Sequence, residues 1–168
     1  MSKKLHWVKE AFSRTIVILD GEKEVGKLSR QAIFSYDIEA NLQQTHLLFD
    51  VKGFILHAVD VIDLNQGNKV VGVITFSFGR KAELTLSTGE KYLWRRQNFL
   101  MRSWTLTKAG RDSSQEVLHY DRLKNFFSEK GDVEGSSTES GSELLILTGL
   151  FIGGYFLRKK RMAAAAAS

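Results

Sequence analysis

A chain of 168 residues with 43% apolar side chains is the size of one domain and has enough hydrophobic material for a core, which excludes a wholly disordered protein. Its formal charge of +5 is compatible with contact with phosphate, anionic lipid or nucleic acid, but fits better a mildly basic surface with no such partner. Cysteine and proline are both absent, so disulfides, thiolate nucleophiles and cysteine-ligated metal centres are excluded, and sharp turns fall to Gly, Asn and Asp.

Met1 to Glu10 carries positive charge but lacks a following apolar stretch and a small-residue cleavage site, so it reads as retained rather than as a signal peptide. From Trp7 to Tyr120 the pattern is a succession of short β-like runs. Thr15 to Leu19 is apolar on both faces and stops at the hairpin dipeptide Asp20-Gly21, with Glu24 to Leu28 returning. Between Ala32 and Ala40 the spacing of Ile33, Tyr36 and Ile38 is too irregular to assign. Thr45 to Val51 and Phe54 to Ile62 read as strands with a bend at Lys52-Gly53, and Asn65 to Asn68 as a turn. Lys69 to Phe78 reads as a long strand whose Val-rich half is expected to be the deeper. Ala82 to Leu86 and Lys91 to Arg95 form the clearest hairpin, followed by strands at Phe99 to Thr107 and Val117 to Tyr120. Runs of this length and spacing point to a sandwich or barrel, because βαβ units need crossover helices that the pattern lacks.

Residues 131–142 are small, polar and acidic, the composition of a flexible connection. Glu143 to Leu157 is the most apolar segment; with Ser142 as N-cap, Glu143 at the positive end and Arg158 to Arg161 at the negative end, it reads as a helix over 143–161. Residues 162–168 read as a frayed tail. A helix apolar all round is enclosed either by protein or by lipid. Residues 144–157 span roughly 21 Å, short of the roughly 30 Å hydrocarbon core, so length favours burial in the same domain over a tail anchor. The flanking Tyr155 and basic cluster keep the tail anchor as the alternative. Gly149 and Gly153 share a helical face, where they would let inward-facing side chains press on the helix backbone.

Val25-Gly26-Lys27-Leu28, the strand series from Lys69 to Thr107, and Glu143 to Arg161 as a closing apolar helix together resemble the tubby C-terminal-like superfamily. That superfamily includes the tubby domains, the plant LURP-one-related proteins and the phospholipid scramblases. The resemblance implies a mainly β fold, a closed antiparallel barrel of about a dozen short strands over 1–130 around one apolar C-terminal helix. It also implies, in some members, association with membrane lipids. No tubby-type lipid signature, cysteine-rich stretch or acidic calcium loop carries over residue by residue.

No catalytic constellation stands out. His6, His46, His57 and His119 are scattered without metal-ligand spacing, nucleophile-elbow and phosphate-loop motifs are missing, and Asp60 and Asp63 read as turn solvation. No cofactor or metal is expected, and nucleic acid has no strong signal. Tyr92, Trp94 and Phe99 are interleaved with Arg95, Arg96 and Arg102, and are expected to be core residues with the arginines on a solvated face. The expected function is a non-enzymatic tubby-like binding or scaffold protein, a cytoplasmic monomer peripheral to the membrane. Arg158, Lys159, Lys160, Arg161, Arg95, Arg96 and Arg102 are its candidate anion or lipid-headgroup residues. The alternatives are a tail-anchored protein with a cytoplasmic β domain, and an enzyme or small-molecule carrier with a pocket in the barrel.

Overall fold

The computed structural model describes residues 2–31, 36–51, 58–77, 81–110, 114–125, 128–136 and 141–167. Its strands are β1 (Ser2–Glu10), β2 (Thr15–Asp20), β3 (Lys23–Arg30), β4 (Ile38–Leu42), β5 (Thr45–Val51), β6 (Ala58–Asp63), β7 (Lys69–Ser77) and β8 (Lys81–Leu86). They continue as β9 (Lys91–Arg96), β10 (Ser103–Lys108), β11 (Gln115–Asp121), β12 (Leu123–Lys124) and β13 (Ser128–Ser136), and one helix follows, α1 (Ser142–Ala167). Each strand from β1 to β10 pairs antiparallel with the next; β11 pairs with β13, and β13 pairs with β1. The sheet therefore closes as a twelve-stranded barrel, with β12 a two-residue ribbon on β13 beyond the end of β11.

Period-2 alternation puts one side chain in two inside the barrel. Trp7, Ile18, Leu47, Phe49, Leu84, Trp94, Trp104 and Tyr120 are all at most 2% exposed. Turn chemistry sets the register: Gly21 (φ 63°) turns β2 into β3, and Gly89 (φ 95°) turns β8 into β9. Asp63, the expected turn aspartate, accepts from the Asn65 backbone N–H at 2.9 Å and the Gln66 amide at 2.7 Å. His6, His46 and His119 lie in three different strands, each beside a carboxylate.

Several expectations need correction. The connection assigned to 131–142 belongs to strand β13 as far as Ser136, and β13 closes the barrel through nine residue pairs with β1. Its inward residues are Gly131, Val133 and Gly135. A Cβ on Gly131 would collide with Asp121 O and approach the Trp7 indole, and one on Gly135 would collide with Leu118. Trp7 and Leu118 thus supply the bulk that their partner strand lacks, and the segment looks like a linker because its core-facing volume belongs to its neighbours. β7 buries Gly72 and Ile74, which puts Val71 and Val73 on the alternate face, and Val70, 42% exposed, lies beyond a bulge opposite Val61/Ile62. β10 begins at Ser103, which leaves Phe99 in a loop. Residues 32–35, 52–57, 78–80 and 111–113 lie outside the described residues, and with them His57, Lys52, Gly53 and part of the expected Phe54 to Ile62 strand.

The axis of the barrel is filled by α1. Leu145, Leu147, Leu150, Phe151, Ile152, Phe156 and Leu157 are buried among the strands; Phe151 stacks on Phe49 at 4.4 Å and Phe156 on Trp94 at 5.1 Å. Among the described residues no helix is long and apolar enough to cross a membrane. A bilayer span by 144–157 would require α1 to leave the barrel. The N-cap is Gly141 rather than Ser142, since the Gly141 carbonyl accepts the first helical bond from Leu145 at 3.2 Å. The helix also continues past the basic cluster to Ala167, as the high helix propensity of Met and Ala favours. The cluster therefore sits inside the helix and not at its negative end.

On the outside of the closing seam, the Lys4 ammonium lies 3.0 Å from both Asp132 and Glu134, and His6 Nδ1 lies 2.6 Å from Asp132. Burial pushes the Asp132 pKa up, but the Lys4 and His6 hydrogen bonds outweigh it and hold the carboxyl below its ordinary value. A depressed carboxyl pKa stabilises the fold above the unfolded value and loses that contribution as pH falls through the folded one. Asp132→Asn should lower the unfolding free energy measured with urea at pH 7, by no more than ~1 kcal/mol for so exposed a cluster. The difference from the parent should shrink as pH falls through the folded-state pKa of Asp132.

Candidate functional site

α1 enters the barrel beside the turns at Asp20-Gly21, Asp63 to Asn68 and Ser87 to Glu90. It leaves at the opposite end, where β1, β3, β9 and β11 finish and β2, β4, β10 and β13 begin. At this exit the inward-facing pattern changes from apolar to basic. Lys9 follows Trp7, Arg30 follows Leu28 and Arg96 follows Trp94, each two residues on and so on the same face of its strand. From the helix come Arg158, one turn beyond Gly154, and Arg161, one turn beyond Leu157.

Of these, Lys9, Arg30, Arg158 and Arg161 frame a crevice of about 240 Å³. Its rim carries Lys9, Arg14, Arg30, Arg158 and Arg161 against the single carboxylate of Glu129, and its floor includes Ile16, Leu28, Ile38, Leu150 and Phe151. An adjoining groove of about 320 Å³ shares Arg30, Arg158 and Arg161 and adds Tyr36, Lys159 and Met162. Glu129, itself 8% exposed, is engaged by two partners, an ion pair with Arg161 and the Arg122 guanidinium at 3.6 Å.

The remaining cations are poorly compensated. Burial, and after it the proximity of Arg30, depresses the Arg158 pKa; burial, and after it Arg161, Arg158 and Arg30, depresses that of Lys9. Arg30 Nε, Arg158 Nη1 and Arg96 Nη1 are shielded from solvent without a hydrogen-bond partner among the described residues. Buried charge normally finds a partner, because removal from water costs several kcal/mol otherwise.

The same end exposes apolar side chains. Among the described residues the large exposed ones are Phe12, Tyr36, Phe99, Leu100, Leu123 and Met162, all at this exit, and Val70 at the other. Phe12 is fully exposed at the tip of the β1–β2 turn with φ 63°, a left-handed conformation unfavourable for a bulky L-residue. Phe99 is 73% exposed, with the Arg96 guanidinium 5.4 Å and the Lys160 ammonium 5.8 Å from its ring centre. Arg122 secures this loop by donating to the carbonyls of Met101 at 2.9 Å and Leu100 at 3.0 Å. No family model, curated protein or solved structure matches the chain.

Of the residues singled out from sequence, Arg158 and Arg161 line the crevice and Lys159 lines the groove, 5.1 Å over the Tyr155 ring. Lys160 and Arg96 flank Phe99, and Arg102 lies exposed on the same loop. Arg95 points outward from β9, away from this set. Tyr92 and Trp94 are core residues as expected, while Phe99 is not. Lys9, Arg14, Arg30 and Glu129 were missed. For Lys9 and Arg30 a signal existed, since a cation two positions beyond an inward Trp or Leu occupies the same face of a strand.

Proposed function

We propose that the chain is a non-enzymatic binding protein that docks on anionic membrane surfaces through the barrel end from which α1 emerges. One observation carries this reading: basic side chains and nearly all the large exposed apolar side chains among the described residues converge on that end. Such a surface presents cations to lipid headgroups while Phe12, Phe99, Leu100 and Leu123 enter the interfacial layer. The likeness of the strand and helix pattern to tubby-like proteins, some of which associate with lipids, supports the reading.

The test is vesicle co-sedimentation with neutral phosphatidylcholine and with phosphatidylcholine containing phosphatidylserine. Binding should require the anionic lipid and fall steeply with salt. Each cation near such a surface contributes about 1 kcal/mol, so replacing Arg96, Arg102, Lys159 and Lys160 by Gln together should weaken binding on the order of hundredfold or more. Phe12→Ser with Phe99→Ser should also weaken it, and Val70→Ser, at the opposite end, should not. Equal binding to neutral vesicles, or an undiminished affinity of the four-fold variant, would remove the proposal.

A further inference from the structure

The crevice at the exit of α1 combines two features that a purely electrostatic surface does not need. Its floor is apolar, formed by Ile16, Ile38 and Leu150 among others, and at its rim the solvent-shielded Arg30 Nε and Arg158 Nη1 have no hydrogen-bond partner among the described residues. Glu129, the one carboxylate on the rim, is already engaged by Arg122 and Arg161 and is not a partner of either. Gly154 opens the floor further, because a Cβ there would meet nothing within 4 Å. The crevice of about 240 Å³ and the adjoining groove of about 320 Å³ together fall in the size range of small-ligand pockets, roughly 300–1,000 Å³.

We infer that this crevice binds a single-chain anionic amphiphile, its oxyanion head taking the free donors of Arg30 and Arg158 and its hydrocarbon chain lying along the floor past Gly154. Planar guanidinium groups match a carboxylate or phosphate head in forked hydrogen bonds, and the apolar floor gains from removal of the chain from water. Burial first, and then repulsion from Arg30, depress the Arg158 pKa, and an anion sitting between the two guanidinium groups relieves that repulsion. The inference builds on the reading of this end as a lipid-facing surface, but its test uses no membrane, so the two fail separately.

Decanoate below its micellar range, decanol and inorganic phosphate are titrated separately into the full chain by isothermal calorimetry. Decanoate should bind at least about tenfold more tightly than either of the others, a factor equivalent to ~1.4 kcal/mol. If decanol or phosphate alone matches decanoate, one half of the crevice contributes nothing and the inference is overturned. Arg30→Met and Arg158→Met should each bring decanoate down to the level of decanol, and Gly154→Leu, which fills the floor, should weaken decanoate and decanol alike. Unchanged decanoate affinity in folded variants also overturns it. The comparison of the three probes on the parent chain decides the matter even where a variant misfolds. Without ligand, Arg158→Met should melt above the parent, since it removes a partly buried charge whose Nη1 has no hydrogen-bond partner among the described residues.

Discussion

A chain ending at Gly141 should fail to fold: it should show no cooperative thermal transition and no near-ultraviolet circular dichroism from its tryptophans. The helix it lacks contributes Leu145, Ile146, Leu147, Leu150, Phe151, Ile152, Phe156 and Leu157 to the interior. At about 1.5–3 kcal/mol for each fully buried side chain, their loss is on the order of 12–24 kcal/mol as an upper estimate. That matches or exceeds the 5–15 kcal/mol net stability typical of a domain. The strands would be left around an open axis, with Phe49, Trp94, Trp104 and Tyr120 facing water where α1 had been. Their indole and phenol groups would lose partners too, since Trp94 donates to the Gly149 carbonyl at 3.3 Å and Tyr120 to those of Leu145 and Ile146, both at 3.1 Å. A truncated chain that melts cooperatively near the parent temperature would mean that the barrel stands without its helix.

Alanine at the three glycines of α1 should have opposite effects at neighbouring positions. In an isolated helix every Gly→Ala change stabilises by up to about 1 kcal/mol. At Gly149 the new methyl would overlap the phenol of Tyr120, which is held in place by its two hydrogen bonds to the helix backbone. At Gly153 it would lie 2.6 Å from the Trp104 ring, which is buried and stacks on Tyr120 at 5.7 Å. Overpacking of this kind costs about 1–3 kcal/mol, and the immobile Tyr120 puts Gly149→Ala at the top of that range. For a chain of this size that lowers the melting temperature by roughly 6–12 °C, whereas Gly154→Ala, facing open space, should raise it by a few degrees. Combining Gly149→Ala with Tyr120→Leu should cost less than the sum of the two single changes, with a coupling of about 1 kcal/mol or more. Additive effects would mean that Tyr120 is not what Gly149 accommodates.

Much of this architecture can be read from residues alone, because its physical causes are local. Alternation and turn glycines mark β2, β3, β5, β8 and β9, and an apolar run too short for a bilayer marks α1 as an interior helix. The Gly149 and Gly153 spacing even anticipates close approach of the strands, here by Tyr120 and Trp104. Composition misleads where a segment's role depends on its neighbours. β13 has Gly, Val and Gly on its inner face, too little apolar surface to look like a strand, and becomes one because Trp7 and Leu118 fill the space opposite. Phe99 looks like core beside Tyr92 and Trp94, but a loop begins before it and carries it to the surface.

The candidate site divides in the same way. Arg158 to Arg161 are conspicuous as a run, yet their meaning comes from partners distant in the chain: Lys9, Arg14 and Arg30 from β1 to β3, and Glu129 from β13. The sequence by itself determined that the strands alternate, where they turn, and that a wholly apolar helix needs enclosure, since each follows from forces acting within a few residues. Only the tertiary structure decided which strand closes the barrel and which cations meet at its mouth. Closure and charge convergence depend on pairs separated by more than a hundred residues, and no local pattern encodes those.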